Sequence, residues 1–414
     1  MVNNNLLIIG FVWPEPKSSA AGSRMLQLIK QFQKQGYSIT FATTANVSNR
    51  AFNLESIEVS IQNIELNNSS FDAFIKLLNP TIVMFDRFMT EEQFGWRVAE
   101  QCPNALRILD TEDFHGLRKA RGEALKADRA LLIEDLQSDI TKREIASIYR
   151  CDLSLIISEA EMKILTHQFK IDSHLLYYLP FLLEPIGETS ISKLLSFKDR
   201  EHFVTIGNFL HAPNYDAVLY LKQTIWPLIR KRLPHAELHV YGSYAQQKTL
   251  QLHQPKEGFY IKGFAENVNN VMQSAKICLA SLRFGAGLKG KLVDAMKNGT
   301  PCIMSTIASE GMFGDLEENG CIEDNPEAFA EKAIALYTDE ILWKTKQING
   351  FNAINSRFNV ADFETDFKSI IETLISNLII HRQDNFTGQL LMHHSMQSTK
   401  YMSRWIETKQ QLKE

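Results

Sequence analysis

Short runs of consecutive apolar residues recur along the chain, and stretches with helical spacing separate them. Leu6-Leu-Ile-Ile9 is fully apolar, as a parallel strand buried on both faces must be. A loop from Gly10 to Gly22 follows. Met25, Leu28, Ile29 and Phe32 then recur every three or four positions, and Gly36 closes that helix. Ser38-Ile-Thr-Phe-Ala42 is the next strand, so the chain opens on a βαβ unit. Residues 81–85, 106–109 and 153–157 read as further strands, with helical stretches between them, notably 123–148. This alternation predicts a doubly wound α/β domain over residues 1–180.

Near residue 180 the periodicity lapses, and Pro185 to Arg200 reads as a linker. The pattern then restarts. Residues 202–206 form a strand ending in Gly207, residues 215–229 are helical, and residues 236–241 form a strand ending in Gly242. Residues 260–263, 277–282 and 302–304 complete a second α/β domain, expected over 201–380. Two such domains leave a cleft, and ligands bind at the carboxyl ends of the strands that face it. Phe363, Phe367, Ile370, Leu374 and Leu378 form an apolar helical stripe able to pack on either domain. The more polar tail 381–414, with Trp405 and Ile406 near its end, is expected to be a terminal amphipathic helix.

Bulk properties narrow the function classes. A chain of 414 residues exceeds one ordinary core, and 44% hydrophobic with 22% charged residues is a globular composition. A net charge of −4 weighs against a nucleic-acid partner, so any anion site must be a local arrangement. The five cysteines are widely spaced with no C-x-x-C pair, as expected of buried free thiols in a reducing compartment. The start Met-Val-Asn-Asn-Asn lacks the positive segment of a signal peptide, and no apolar run reaches the roughly 18 residues of a membrane span. A cytoplasmic protein is expected.

The chemistry concentrates in Arg283-Phe-Gly-Ala-Gly-Leu-Lys-Gly-Lys291, between a strand-like run and a helix-like run. A glycine-rich turn at a helix start gathers backbone N–H groups and the positive end of the helix dipole at one point. Arg283, Lys289 and Lys291 add three positive charges with no acid among the nine residues, which suits a diphosphate. Gly285-Ala-Gly-Leu-Lys-Gly290 also fits G-x-G-x-x-G, and Glu310 stands about 20 residues on, where a dinucleotide fold wants a ribose-binding acid. The motif's late position and its lysines count against that reading, and the opening loop has no such motif.

Val204-Thr-Ile-Gly-Asn208, Pro213-Asn-Tyr-Asp-Ala217, Ile225-Trp-Pro227, Pro234-His-Ala-Glu-Leu238 and Val240-Tyr-Gly242 occur in series. Gly263-Phe264, the glycine-rich stretch, Asp294-Ala-Met296, Gly299-Thr-Pro301 and Ser309-Glu-Gly311 continue it. In this order they resemble the C-terminal domain of group 1, retaining family-four glycosyltransferases. Pro14, Pro16 and Ser18 to Met25 resemble the first loop of the same enzymes. The resemblance implies the GT-B fold, two Rossmann-like domains facing across a cleft, and no metal or cofactor. It implies a nucleotide-sugar donor, a UDP- or GDP-sugar, on the C-terminal domain. A glycan or lipid-linked acceptor would lie on the N-terminal domain, in surface polysaccharide biosynthesis with peripheral membrane contact. Lys289 and Lys291 would neutralise the diphosphate, the amides of Gly285, Gly287, Leu288 and Gly290 would bind it, and Glu310 and Arg283 would add contacts. Asp294 stands where the family has a ribose-binding glutamate, and Ala286 where it has another.

A second cluster, Asp110-Thr-Glu-Asp-Phe-His115 with Arg118 and Arg121, lies at the end of a first-domain strand. His115 and Asp113 are candidate catalytic residues beside Lys289, with Asp110 and Glu112 as acceptor-orienting acids. An N-cap role for Asp110 and Thr111 is the alternative. In the opening loop, Gly22 lets a ligand approach the backbone, and Arg24, which opposes the helix dipole, asks for an anion or a snorkelling role. Asn208 and Asn214 either line the donor cleft or serve a turn. Glu91-Glu92 reads as a solvated face, and His393-His394 has no partner at metal spacing. The rival functions are a non-catalytic nucleotide-sugar or glycan-binding protein and a nucleotide-sugar 2-epimerase.

Overall fold

The computed structural model describes residues 4–412, so Met1 to Asn3 and the last two positions, which belong to the expected N-terminal domain and tail, lie outside the described residues. Seven strands form the first sheet: β1 (Asn5–Gly10), β2 (Ser38–Thr43), β3 (Ser60–Asn63), β4 (Ile82–Asp86), β5 (Leu106–Asp110), β6 (Leu153–Ile156) and β7 (Leu176–Tyr178). They are parallel, in the order 3-2-1-4-5-6-7. Along β1, Leu7 and Ile9 enter the core on one face while Leu6 and Ile8 enter that on the other. Covering both faces is why the run is continuously apolar.

The second sheet holds β8 (Glu201–Ile206), β9 (Leu238–Tyr241), β10 (Phe259–Gly263), β11 (Ala275–Ala280), β12 (Cys302–Met304) and β13 (Gly320–Ile322), also parallel, in the order 10-9-8-11-12-13. In both sheets the strand order reverses beside the opening strand, which places the carboxyl ends of β1, β4, β8 and β11 at switch points where ligands bind.

The chain crosses between the sheets twice, side by side. Leu183 donates to the carbonyl of Phe358 at 2.7 Å and accepts from the amide of Val360 at 2.9 Å. After the second crossing, helix Ala361–Ser376 returns to the first sheet, where Phe367 meets the rings of Phe32 and Tyr177 at 5.4 and 5.8 Å. The apolar stripe 363–378 therefore packs on the N-terminal core and does not complete the second unit at residue 380.

The tail forms helix Phe386–Gln411 against helices Arg87–Gln101 and Asp139–Arg150 of the first unit, with Met396 buried and Trp405 exposed. The long helix expected over 123–148 is two helices, His115–Lys126 and Asp139–Arg150. Asp128 in left-handed backbone breaks it, and the Ser138 side chain caps the second by accepting from the Thr141 amide. Glu91 is also not solvated: it is buried and forked onto Arg150 at 2.9 and 2.5 Å.

Candidate active site

A cleft of about 720 Å³ separates the two sheets' carboxyl ends and is lined from both sides. On the C-terminal side, the turn after β11 leads into helix Gly290–Lys297. Gly287 has φ +65°, and a Cβ on it would lie 2.8 Å from the Cβ of Asp113 in the other domain. Backbone hand and close approach both demand glycine there. Among the described residues, no protein acceptor meets the amides of Lys289, Gly290 and Lys291 at the helix start. All three residues line the cleft, so these N–H groups are open to an anion there.

The two lysines behave differently. Lys289 is buried and donates to its own turn, to the carbonyls of Ala286 at 3.2 Å and Gly287 at 2.6 Å. Burial pulls its pKa down to about 8 against the nearby carboxylates of Glu310 and Glu161. Lys291 donates one hydrogen bond, to Asn214 Oδ1 at 3.0 Å, and burial holds it at about 8 as well. Both lysines are held by neutral acceptors, and neither forms an ion pair among the described residues. Asp294, one turn further on, also lines the cleft, and burial raises it to about 6. Asn208 lines the cleft too, but its side chain holds a turn by accepting from the Leu210 amide at 2.9 Å.

The N-terminal wall is built on the ends of β4 and β5. Arg87 and Glu112 both sit in left-handed backbone, φ 69° and 62°, at the cleft. Such conformations cost non-glycine residues energy and concentrate at functional sites. Burial, then the charge of Asp110, pushes Glu112 up to about 8, which favours its protonated form. Asp113 stays ionised. Burial opposes this, but Arg118 and then His115 hold its carboxyl below the usual range.

His115 is fixed on one side. Its Nδ1 faces the carbonyl of Asp113 at 2.9 Å and Glu144 Oε1 at 3.2 Å, while Glu144 also accepts from the amides of His115 and Gly116. Burial lowers the imidazole's pKa, but the bond to Glu144 and the charge of Asp113 outweigh it and leave the pKa raised. With Nδ1 anchored, Nε2 is the nitrogen left for a substrate.

Several expected residues do other work. Gly22 is outside the cleft wall; a Cβ on it would lie 2.5 Å from the Glu15 backbone, so it closes the opening loop. The anion Arg24 asks for is Asp110: the two are almost fully buried at 2.9 Å, and Arg24 also donates to the carbonyls of Leu179 and Pro180. Asp110 is thereby neither an acceptor-orienting acid nor an N-cap. Arg283 leaves the cleft to pair with Asp216 at 2.5 Å. Glu310 is also outside the lining, forked onto Arg121 of the first domain at 2.8 and 2.6 Å. The amide of Gly287 is taken by Glu161 at 2.7 Å.

Glu161, Arg121 and His211, a C-terminal residue on the cleft near Asp113, are the features that sequence reasoning missed or left without a role. The partners of Glu161 and Arg121 lie far away in sequence, so spacing carries no signal for them.

Residues 200–339 match the family described as glycosyl transferases group 1. No curated protein matches the chain. Among solved structures, a mutant of TarM from S. aureus, determined in complex with fondaparinux, alpha-GlcNAc-glycerol and UDP, is similar at TM-score 0.68 and 10% identity, over 89% of this chain and 99% of that one. Sucrose-phosphate synthase of Thermosynechococcus elongatus is similar at TM-score 0.67 and 15% identity, over 90% and 99%. HepE of Anabaena, solved with UDP and glucose, is similar at TM-score 0.63 and 13% identity, over 89% and 100%. At these identities the structures speak for the fold, which is GT-B, and the family match speaks for residues 200–339. Residues 200–339 are thereby similar to group 1 glycosyltransferases, and the chain as a whole has the GT-B fold.

Proposed function

We propose that the enzyme transfers a sugar, with retention of anomeric configuration, from a UDP-sugar to a glycan or lipid-linked acceptor in the assembly of a surface polysaccharide. The observation that carries the donor half is the helix start at Lys289 to Lys291: open amides and two lysines hydrogen-bonded only to neutral acceptors line one wall of the cleft. Diphosphate oxygens suit both, and the same groups stabilise the charge that builds on the leaving diphosphate. UDP is favoured among bases because TarM and HepE were solved with it. Asp294, which lines the cleft one turn into the helix, suits the ribose hydroxyls.

Across the cleft, His115, through Nε2, and Glu112 would hydrogen-bond the transferred sugar or the acceptor, with Asp113 orienting His115; both line the cleft wall. Residues 1–180 carry the acceptor wall and residues 201–358 the donor wall. The structure has no helix long and apolar enough to cross a membrane among its described residues.

The test is turnover. Wild-type enzyme with a UDP-sugar and a saccharide acceptor should release UDP, and proton NMR of the product should show the anomeric configuration of the donor. A product of inverted configuration would overturn the retaining assignment. UDP-sugar bound but never consumed with any acceptor would overturn the transferase reading in favour of a binding protein.

A further inference from the structure

Beneath the reacting faces, one buried carboxylate joins the two walls. Glu161 lies on the short helix Glu159–Lys163 that follows β6, and it is 1% exposed. Its Oε1 accepts two backbone amides: Phe114 at 2.9 Å, adjacent to His115 in the N-terminal wall, and Gly287 at 2.7 Å, in the glycine-rich turn that carries Lys289. Its Oε2 is buried without a partner among the described residues. The charged groups facing it are Asp113 from the N-terminal loop and Lys289 from the turn.

The same helix supports the second domain at further points. Glu159 pairs with Arg357 at 2.8 Å, and a Cβ on Gly311 would lie 2.6 Å from Ser158 Oγ. The turn also approaches the loop closely, since a Cβ on Gly287 would lie 2.8 Å from the Cβ of Asp113.

A buried carboxylate is costly to leave in a domain contact unless it is hydrogen-bonded. This one takes its hydrogen bonds from the two loops whose relative placement decides whether His115 and Lys289 face one sugar. We propose that Glu161 is a positioning residue for the transfer: a single oxygen splices the amide next to His115 to the amide of the glycine-rich turn and holds the cleft in its reacting register. The inference deepens the transferase reading and rests on it. It also assigns the diphosphate to the amides of Lys289, Gly290 and Lys291, since the amide of Gly287 is occupied.

Two variants separate the splice from a generic structural role. Glu161→Gln keeps an acceptor oxygen in place of Oε1, whereas Glu161→Ala removes it. The Ala variant should lose roughly 10–100-fold in kcat, the scale for misplacing catalytic groups by about 1 Å, with donor KM and UDP affinity changed less than about threefold. The Gln variant should restore kcat to within about threefold of wild type. Amide hydrogen exchange over residues 284–290 should quicken in the Ala variant and stay at the wild-type rate in the Gln variant. Unchanged kcat in Glu161→Ala, or a Gln variant as slow as the Ala variant, overturns the proposal. The exchange measurement needs no substrate, so unaltered exchange in Glu161→Ala overturns the splice even if the enzyme's reaction proves to be different. Absence of binding of any nucleoside diphosphate by wild type would instead overturn the transferase reading.

Discussion

Replacing Lys289 by Met should affect stability and binding in different ways. The ammonium is buried, and its pKa falls from 10.5 to about 8, so the empty site disfavours the charge by about 3 kcal/mol. Against this stand its two hydrogen bonds to the carbonyls of Ala286 and Gly287, charge-assisted and worth about 1.5 kcal/mol each. The two nearly cancel, so the apo variant should melt no lower than wild type. A bound diphosphate reverses the balance, because it supplies negative charge and takes charge-assisted hydrogen bonds worth about 1.5–3 kcal/mol. Lys289→Met should therefore raise the Kd for UDP by roughly 10- to 150-fold. Calorimetric titration reads the affinity and differential scanning fluorimetry the melting. A Kd within about threefold of wild type would refute the placement of Lys289 at the diphosphate.

Other predictions test other parts of the site. Lys289 and Lys291 both sit near pH 8 in the apo protein, well below the ordinary lysine value, so each is destabilising while protonated. Apo stability should thus rise as pH climbs from 8 toward about 10.5, while UDP affinity falls over the same window and binding at pH 8.5 takes up protons, measurable by calorimetry in buffers of different ionisation enthalpy. His115→Ala should lower kcat by about 100-fold or more in steady-state assays while leaving the Kd for UDP unchanged. Arg24→Met leaves Asp110 buried and unpaired, and should cost about 3–5 kcal/mol in denaturant unfolding. Arg121→Ala removes the interdomain fork on Glu310, a partly buried pair worth about 1 kcal/mol, and should raise donor KM about fivefold with kcat little changed.

The fold is legible where burial is written into consecutive residues. Leu6 to Ile9, residues 82–85 and Cys302-Ile-Met304 are apolar because both faces of each strand are covered, and each reads as a strand. The strands missed are β3, β7 and β13, of three or four residues at or near sheet edges, too short for a pattern to stand out. The glycine-rich turn and its helix are legible because strand, turn and cap lie next to one another in the chain.

Side-chain roles are legible only where the partner is local. Arg24 reads as needing an anion, and that anion is Asp110, 86 positions away. Glu310 reads as a ligand group because Arg121, 189 positions away, is invisible to spacing. Glu161 receives no role from the sequence for the same reason: it matters through two amides brought to it by different domains.

The central claim is that the cleft holds a nucleoside diphosphate at the start of helix Gly290–Lys297. Calorimetric titration of the wild-type chain with UDP, GDP, ADP and NAD, each repeated on Lys289→Met, tests it most directly. The account predicts saturable binding of UDP, weakened in the variant, and none of NAD. Binding of NAD alone, or of no nucleotide at all, would contradict it.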